Sequence, residues 1–115
     1  MIDAAAIADI LAIYTKHGWK LRRVLLSSEL KASLTTSLQV LFGDTEIVSS
    51  PLDAAWFTRS SSAGSETWEL RRLSITPFAL LDVISGDLDA AAVSETLQKT
   101  EMKMLDLVSS KAKSK

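Results

Sequence analysis

Ile7, Ile10, Leu11 and Tyr14 recur at helical spacing, and this pattern predicts a first helix from about Ala4 to His17. Asp3 suits the N-cap, with Ile2 and Ile7 placed as a hydrophobic staple over the first turn. Lys16 and His17 suit the negative end of the helix dipole, and Gly18 follows as the stop. Trp19 to Leu26 then alternates roughly, with Trp19, Leu21 and Leu25 on one side and Lys20, Arg22 and Val24 on the other. That pattern is a half-buried strand.

Ser27 to Phe42 reads as a second helix through Leu30, Leu34, Leu38 and Leu41. Leu38, Val40 and Phe42 also satisfy a period of two, so a hairpin stays open, and Gly43-Asp44 serves either form as helix stop or turn. Thr45 to Ser49 and Ala54 to Arg59 are β-prone runs separated by Ser50-Pro51. After the small, polar stretch Ser60 to Ser65, alternation resumes from Glu66 to Leu73 through Trp68 and Leu70, which predicts a hairpin with an exposed tip. The tip reads as an ordinary flexible loop rather than a phosphate acceptor.

Phe78 to Ile84 is apolar on every side except at Asp82, and its shortness favours a strand. A short helix with Thr76 as N-cap and Pro77 in its first turn is the alternative. As a strand it needs cover on both sides, either centrally beneath a helix or across an oligomer interface. The last helix begins at Asp89, with Leu88 and Val93 as its staple. Val93, Leu97, Met104 and Val108 line its apolar side, while Lys99, Glu101 and Lys103 are expected to face water. Ile2-Asp-Ala-Ala-Ala-Ile7 and Leu88-Asp-Ala-Ala-Ala-Val93 are two copies of one helix start rather than an internal repeat, because the downstream segments differ.

The element order is α-β-α-β-β-β-β-α. It implies an α+β fold with a mostly antiparallel sheet of four to five strands and both terminal helices packed on one face. Residues 1–110 form the expected single domain and 111–115 a disordered basic tail. With 115 residues, 47% of them hydrophobic and 23% charged, the chain has the composition of one folded domain.

A net charge of -1 provides no long-range field to gather nucleic acid or an anionic membrane, and no apolar run is long enough to span a bilayer. Neither is an expected partner. The absence of cysteine excludes disulfides and thiolate chemistry and fits a cytoplasmic location, as does an amino terminus carrying Asp3 and Asp9 in place of a basic signal region.

Most catalytic templates fail by inventory. The single histidine, His17, is explained as a helix-end residue. The four glycines are too dispersed for a phosphate loop, and no Ser sits in a nucleophile elbow. Asp82, Asp87 and Asp89 are the nearest thing to a metal cluster, but Asp89 is explained as a cap and Asp87 by its turn. No cofactor and no metal are expected.

One grouping stands out. In an unbulged hairpin with an even-numbered loop, Ala55 and Phe57 lie with Trp68 and Leu70, and Trp56 shares the other face with Thr58, Glu69 and Arg71. Lys20 and Arg22 of the first strand join that face. Trp56, Arg71, Arg22 and Lys20 are therefore the candidate binding residues, suited to a protein partner or to an anion or stacked base. The opposing expectation is Trp56 covered by the second helix, and a single bulge would exchange Trp56 for Phe57. The sequence thus points to a small cytoplasmic, non-catalytic binding module whose company is a protein partner or a second copy. A small-ligand protein or enzyme using carboxylates and arginines between sheet and helices is the alternative, without a motif to support it.

Overall fold

In a computed structural model that describes residues 2–61 and 64–113, helix α1 (Ala4–Lys16) starts where the Asp3 carboxylate accepts from the Ala6 amide at 2.9 Å. It ends at Gly18, whose φ of 84° lets the chain turn sharply into a strand. Strand β1 (Lys20–Leu26) follows, then two short helices, α2 (Ser28–Ser33) and α3 (Leu38–Phe42). The second helix expected over 27–42 is thus broken. The break falls at Leu34 to Ser37, where the Thr35 hydroxyl donates back to the Ala32 carbonyl at 2.8 Å and offers the backbone a competing partner.

Strands β2 (Glu46–Ser49), β3 (Ala54–Ser60), β4 (Ser65–Arg72) and β5 (Ala79–Ser85) precede a long helix α4 (Ala90–Lys113). The expected tail over 111–115 overlaps the last turn of α4, and its residues 114 and 115 lie outside the described residues. The strands form one sheet in the order β2-β1-β3-β4-β5. All neighbours are antiparallel except β1 and β2, whose parallel pairing needs a crossover that α2 and α3 supply. Residues 78–84 adopt the strand form rather than the short helix.

The fold is α+β, as the order of elements predicts, but the terminal helices lie on opposite faces of the sheet and not on one. The reason is the central strands. Val24, Leu25 and Leu26 on β1, and Ala54, Ala55, Trp56 and Phe57 on β3, are all at most 1% exposed. Consecutive strand residues point to opposite faces, so such runs need a helical layer on each. On one face Ile7 of α1 packs with Val24, Leu26, Ala55 and Phe57, together with Leu30 and Phe42 of the short helices. On the other, Leu97 and Met104 of α4 pack with Leu25, Trp56, Leu70 and Ile84.

The β3–β4 register also differs from the even-loop expectation. Trp56 pairs with Leu70 and Phe57 with Glu69, so residues of like parity share a face. The hairpin closes through Ser61 N to Ser65 O at 3.3 Å, which leaves an odd number of residues between them. A shift in the β1–β3 ladder between Leu21 and Arg23 places a bulge at Arg22.

Candidate interaction surface

The four residues expected to share a face are divided between the two. Trp56 is fully buried beneath α4, where its Nε1 donates to the Glu101 carboxylate at 2.8 Å. Trp56 is thus covered by α4, not by the second helix, and Glu101, expected to face water, is its partner. Arg71 pairs with Ala55 on the α1 side, is 9% exposed, and spends its guanidinium on the carbonyls of Arg72 and Ser74. Lys20 and Arg22 are exposed on the α4 side. There Arg22 lies 5.0 Å over the ring of Trp68, which stacks edge-on against Trp56. The bulge at Arg22 brings Arg23 to the same side, where it bonds Glu46 at 2.9 Å. Trp68 therefore takes the cation-bearing role expected of Trp56, although it is only 8% exposed.

On the α1 side, Tyr14 stacks on Phe57 with ring centroids 4.0 Å apart, and its hydroxyl donates to Glu69 of β4. Burial, and then the hydrogen bond and charge of Glu69, push the phenol well above its ordinary value, while Arg71 opposes this weakly. Tyr14 stays a neutral donor and cannot act as a base at ordinary pH. A cleft of about 320 Å³ opens beside it between Ile13, His17, Trp19, Arg59 and Glu69. Arg59 closes one wall, lying 4.6 Å over Trp19 and donating to the His17 carbonyl at 3.2 Å. Among the described residues no group of three or more His, Asp or Glu is placed to hold a metal.

The α1-side face is finished only over β2, β1 and β3. Its cover of α1, α2 and α3 buries Arg71 of β4 and Leu73 beyond it, meets Glu69 through the Tyr14 hydroxyl, and does not extend over β5. Beyond that bond, Leu81 pairs with Glu69 and Val83 with Thr67, so both point to the α1 side, where they are 60% and 69% exposed. Ile13, on the flank of α1 nearest Glu69, is 57% exposed and forms the wall of this open strip. The other side of β5 is closed, with Ile84 packed in the α4 cluster and Asp82 accepting from the Thr100 hydroxyl. β5 thus lies at the sheet edge with one apolar face covered and one bare.

Leu81, Val83 and Ile13 are not among the residues nominated from sequence. Their signal is the all-round apolar character of residues 78–84, which demands cover on two sides and finds it on one. No helix among the described residues is long and apolar enough to cross a membrane. Comparison of the chain with protein-family models, with curated proteins and with solved structures gives no match, so its functional reading rests on this geometry.

Proposed function

We propose that this chain is a non-catalytic protein-interaction module of the cytoplasm that receives a helix of its partner on the bare α1-side face of β5, beside β4. The observation that carries this reading is the exposure of Leu81 and Val83 at 60% and 69% on a sheet whose other large apolar strand side chains are covered. Two strands at their usual spacing make a floor about 10 Å wide, which is the diameter of one α-helix with its side chains. The wall at Ile13 and the β5 part of the floor at Leu81 and Val83 are apolar, while on the β4 part the carboxylate of Glu69 is engaged by Tyr14 and the guanidinium of Arg71 by the carbonyls of Arg72 and Ser74. A helix offering an apolar stripe would gain burial there without stranding a charge. The cysteine-free composition is the support for a reducing compartment.

The test is a photoreactive amino acid placed at position 83 in cells, with the exposed Gln98 on α4 as the control position. The reading expects a discrete adduct from position 83, mapping to a helical segment of a protein, and none from position 98. Equal, diffuse labelling from both positions would sink it.

A further inference from the structure

Two opposite charges on the α1 side of the sheet stand near each other without pairing. Phe57 pairs with Glu69 and Arg59 with Thr67, so Arg59 and Glu69 point to the same face as diagonal neighbours across the β3–β4 ladder. Diagonal neighbours lie about 7–8 Å apart, a gap that long side chains can close. Here neither belongs to an ion pair among the described residues. Arg59 is drawn the other way, 4.6 Å over Trp19 of the β1 side, with Nη1 donating to the His17 carbonyl at 3.2 Å. Glu69 accepts the Tyr14 hydroxyl on Oε2, and Arg71, the other cation on this face of β4, is committed to the carbonyls of Arg72 and Ser74.

Both groups line the cleft of about 320 Å³, whose remaining walls include Ile13 and the rings of Tyr14 and Trp19. That volume is at the small end for a ligand cleft. Each charged group gives one hydrogen bond's worth of its capacity to the protein, which leaves Oε1 of Glu69 and the other guanidinium donors of Arg59 for a ligand. The two poles together select its charge. An anion bound on Arg59 alone would lie beside the Glu69 carboxylate, and a cation bound on Glu69 alone would lie beside the guanidinium, so each would meet a like charge. A molecule carrying both charges meets neither penalty.

We infer that this cleft binds a small zwitterion with an aromatic side group, an aromatic α-amino acid, with its carboxylate on Arg59, its ammonium on Glu69 and its ring against Ile13, Tyr14 and Trp19. Tyr14 and Trp19 already meet edge to face with centroids 6.0 Å apart, an arrangement that a third ring can extend. Arg59 is fixed by its own bond and ring contact before any ligand arrives, which lowers the ordering cost of binding. The inference goes beyond the interaction reading and does not depend on a partner at β5. The cleft is open and exposed ion pairs contribute little, so a Kd on the order of 1 mM is expected.

The experiment is a titration of the isotope-labelled full chain, followed by amide and indole NMR shifts, with phenylalanine up to about 20 mM, a span that brackets the expected affinity. Two further ligands each lack one charge: 2-phenylethylamine has no carboxylate and 3-phenylpropionate no amine. Phenylalanine should saturate, with shifts concentrated at Tyr14, His17, Trp19, Arg59 and Glu69, and each of the other two should bind at least about tenfold more weakly. Arg59→Gln and Glu69→Gln should each weaken phenylalanine about tenfold with the spectrum away from the cleft unchanged, since Gln at position 69 still accepts from Tyr14. Arg22→Gln, at the Trp68 ring on the opposite face, should bind as wild type. No saturation, shifts scattered over the surface, or either singly charged ligand binding as well as phenylalanine would overturn the site, and these outcomes need no variant. Unchanged affinity in both cleft variants, or a loss in Arg22→Gln equal to theirs, would overturn it as well.

Discussion

Tyr14 is the one tyrosine of the chain, and its hydroxyl bond to Glu69 ties α1 to β4 at the margin of the uncovered strip. Because its phenol is held above its ordinary value near 10, the folded chain keeps that proton after the unfolded chain has lost it. The stability this contributes is fully present below about pH 10 and is lost as pH rises beyond it. Urea unfolding followed from about pH 8 to about pH 11 should show this alkaline decline in wild type and a shallower one in Tyr14→Phe, with near-ultraviolet phenolate absorbance appearing only as the protein unfolds. Trp56 belongs to the same scale. It is fully buried and bonded to Glu101, so Trp56→Ala should cost about 3–5 kcal/mol in urea unfolding, the range for emptying a large aromatic site. A small loss would mean that α4 does not cover it. The sequence marks Trp56 as important by its chemistry but cannot distinguish a buried tryptophan bonded to a carboxylate from an exposed one ringed by arginines. Their faces depend on whether the β3–β4 loop holds an odd or an even number of residues.

The elements most legible in the chain are those with local signals. Asp3 and Asp89 do cap α1 and α4, accepting from Ala6 and Ala92, and the apolar spacing of Val93, Leu97 and Met104 does mark the buried side of α4. β1, β3, β4 and β5 fall where alternation or apolar runs place them, within a residue or two at each end. Less legible is the stretch from Ser27 to Phe42, where the leucine spacing continues straight through Thr35, Thr36 and Ser37 although the helix does not. The break coincides with the run Thr35-Thr36-Ser37, three residues of low helix propensity in succession, which a hydrophobic pattern does not register. β5 is the instructive case. Its sequence says that both faces want cover, which is correct as chemistry, yet the chain covers only the side where Ile84 packs and leaves Leu81 and Val83 in water.

Across the whole molecule, helices lie on both faces over the central strands β1 and β3, and cover is missing on the α1 side of β5, next to β4. The placement of the terminal helices on opposite faces follows from central strands buried on both sides. That inference was available in the apolar runs Val24 to Leu26 and Ala54 to Phe57, where period-two reading sees only one buried face. The missing cover is the account's central claim, and side-chain labelling by hydroxyl radicals tests it directly. Val40, 87% exposed on α3 and away from the strip, is the internal standard for Leu81 and Val83. In dilute purified protein all three should label. In intact cells the proposed partner helix should protect Leu81 and Val83 relative to Val40. Equal labelling of the three in cells would mean that the strip stays bare where the protein works, and would contradict the account.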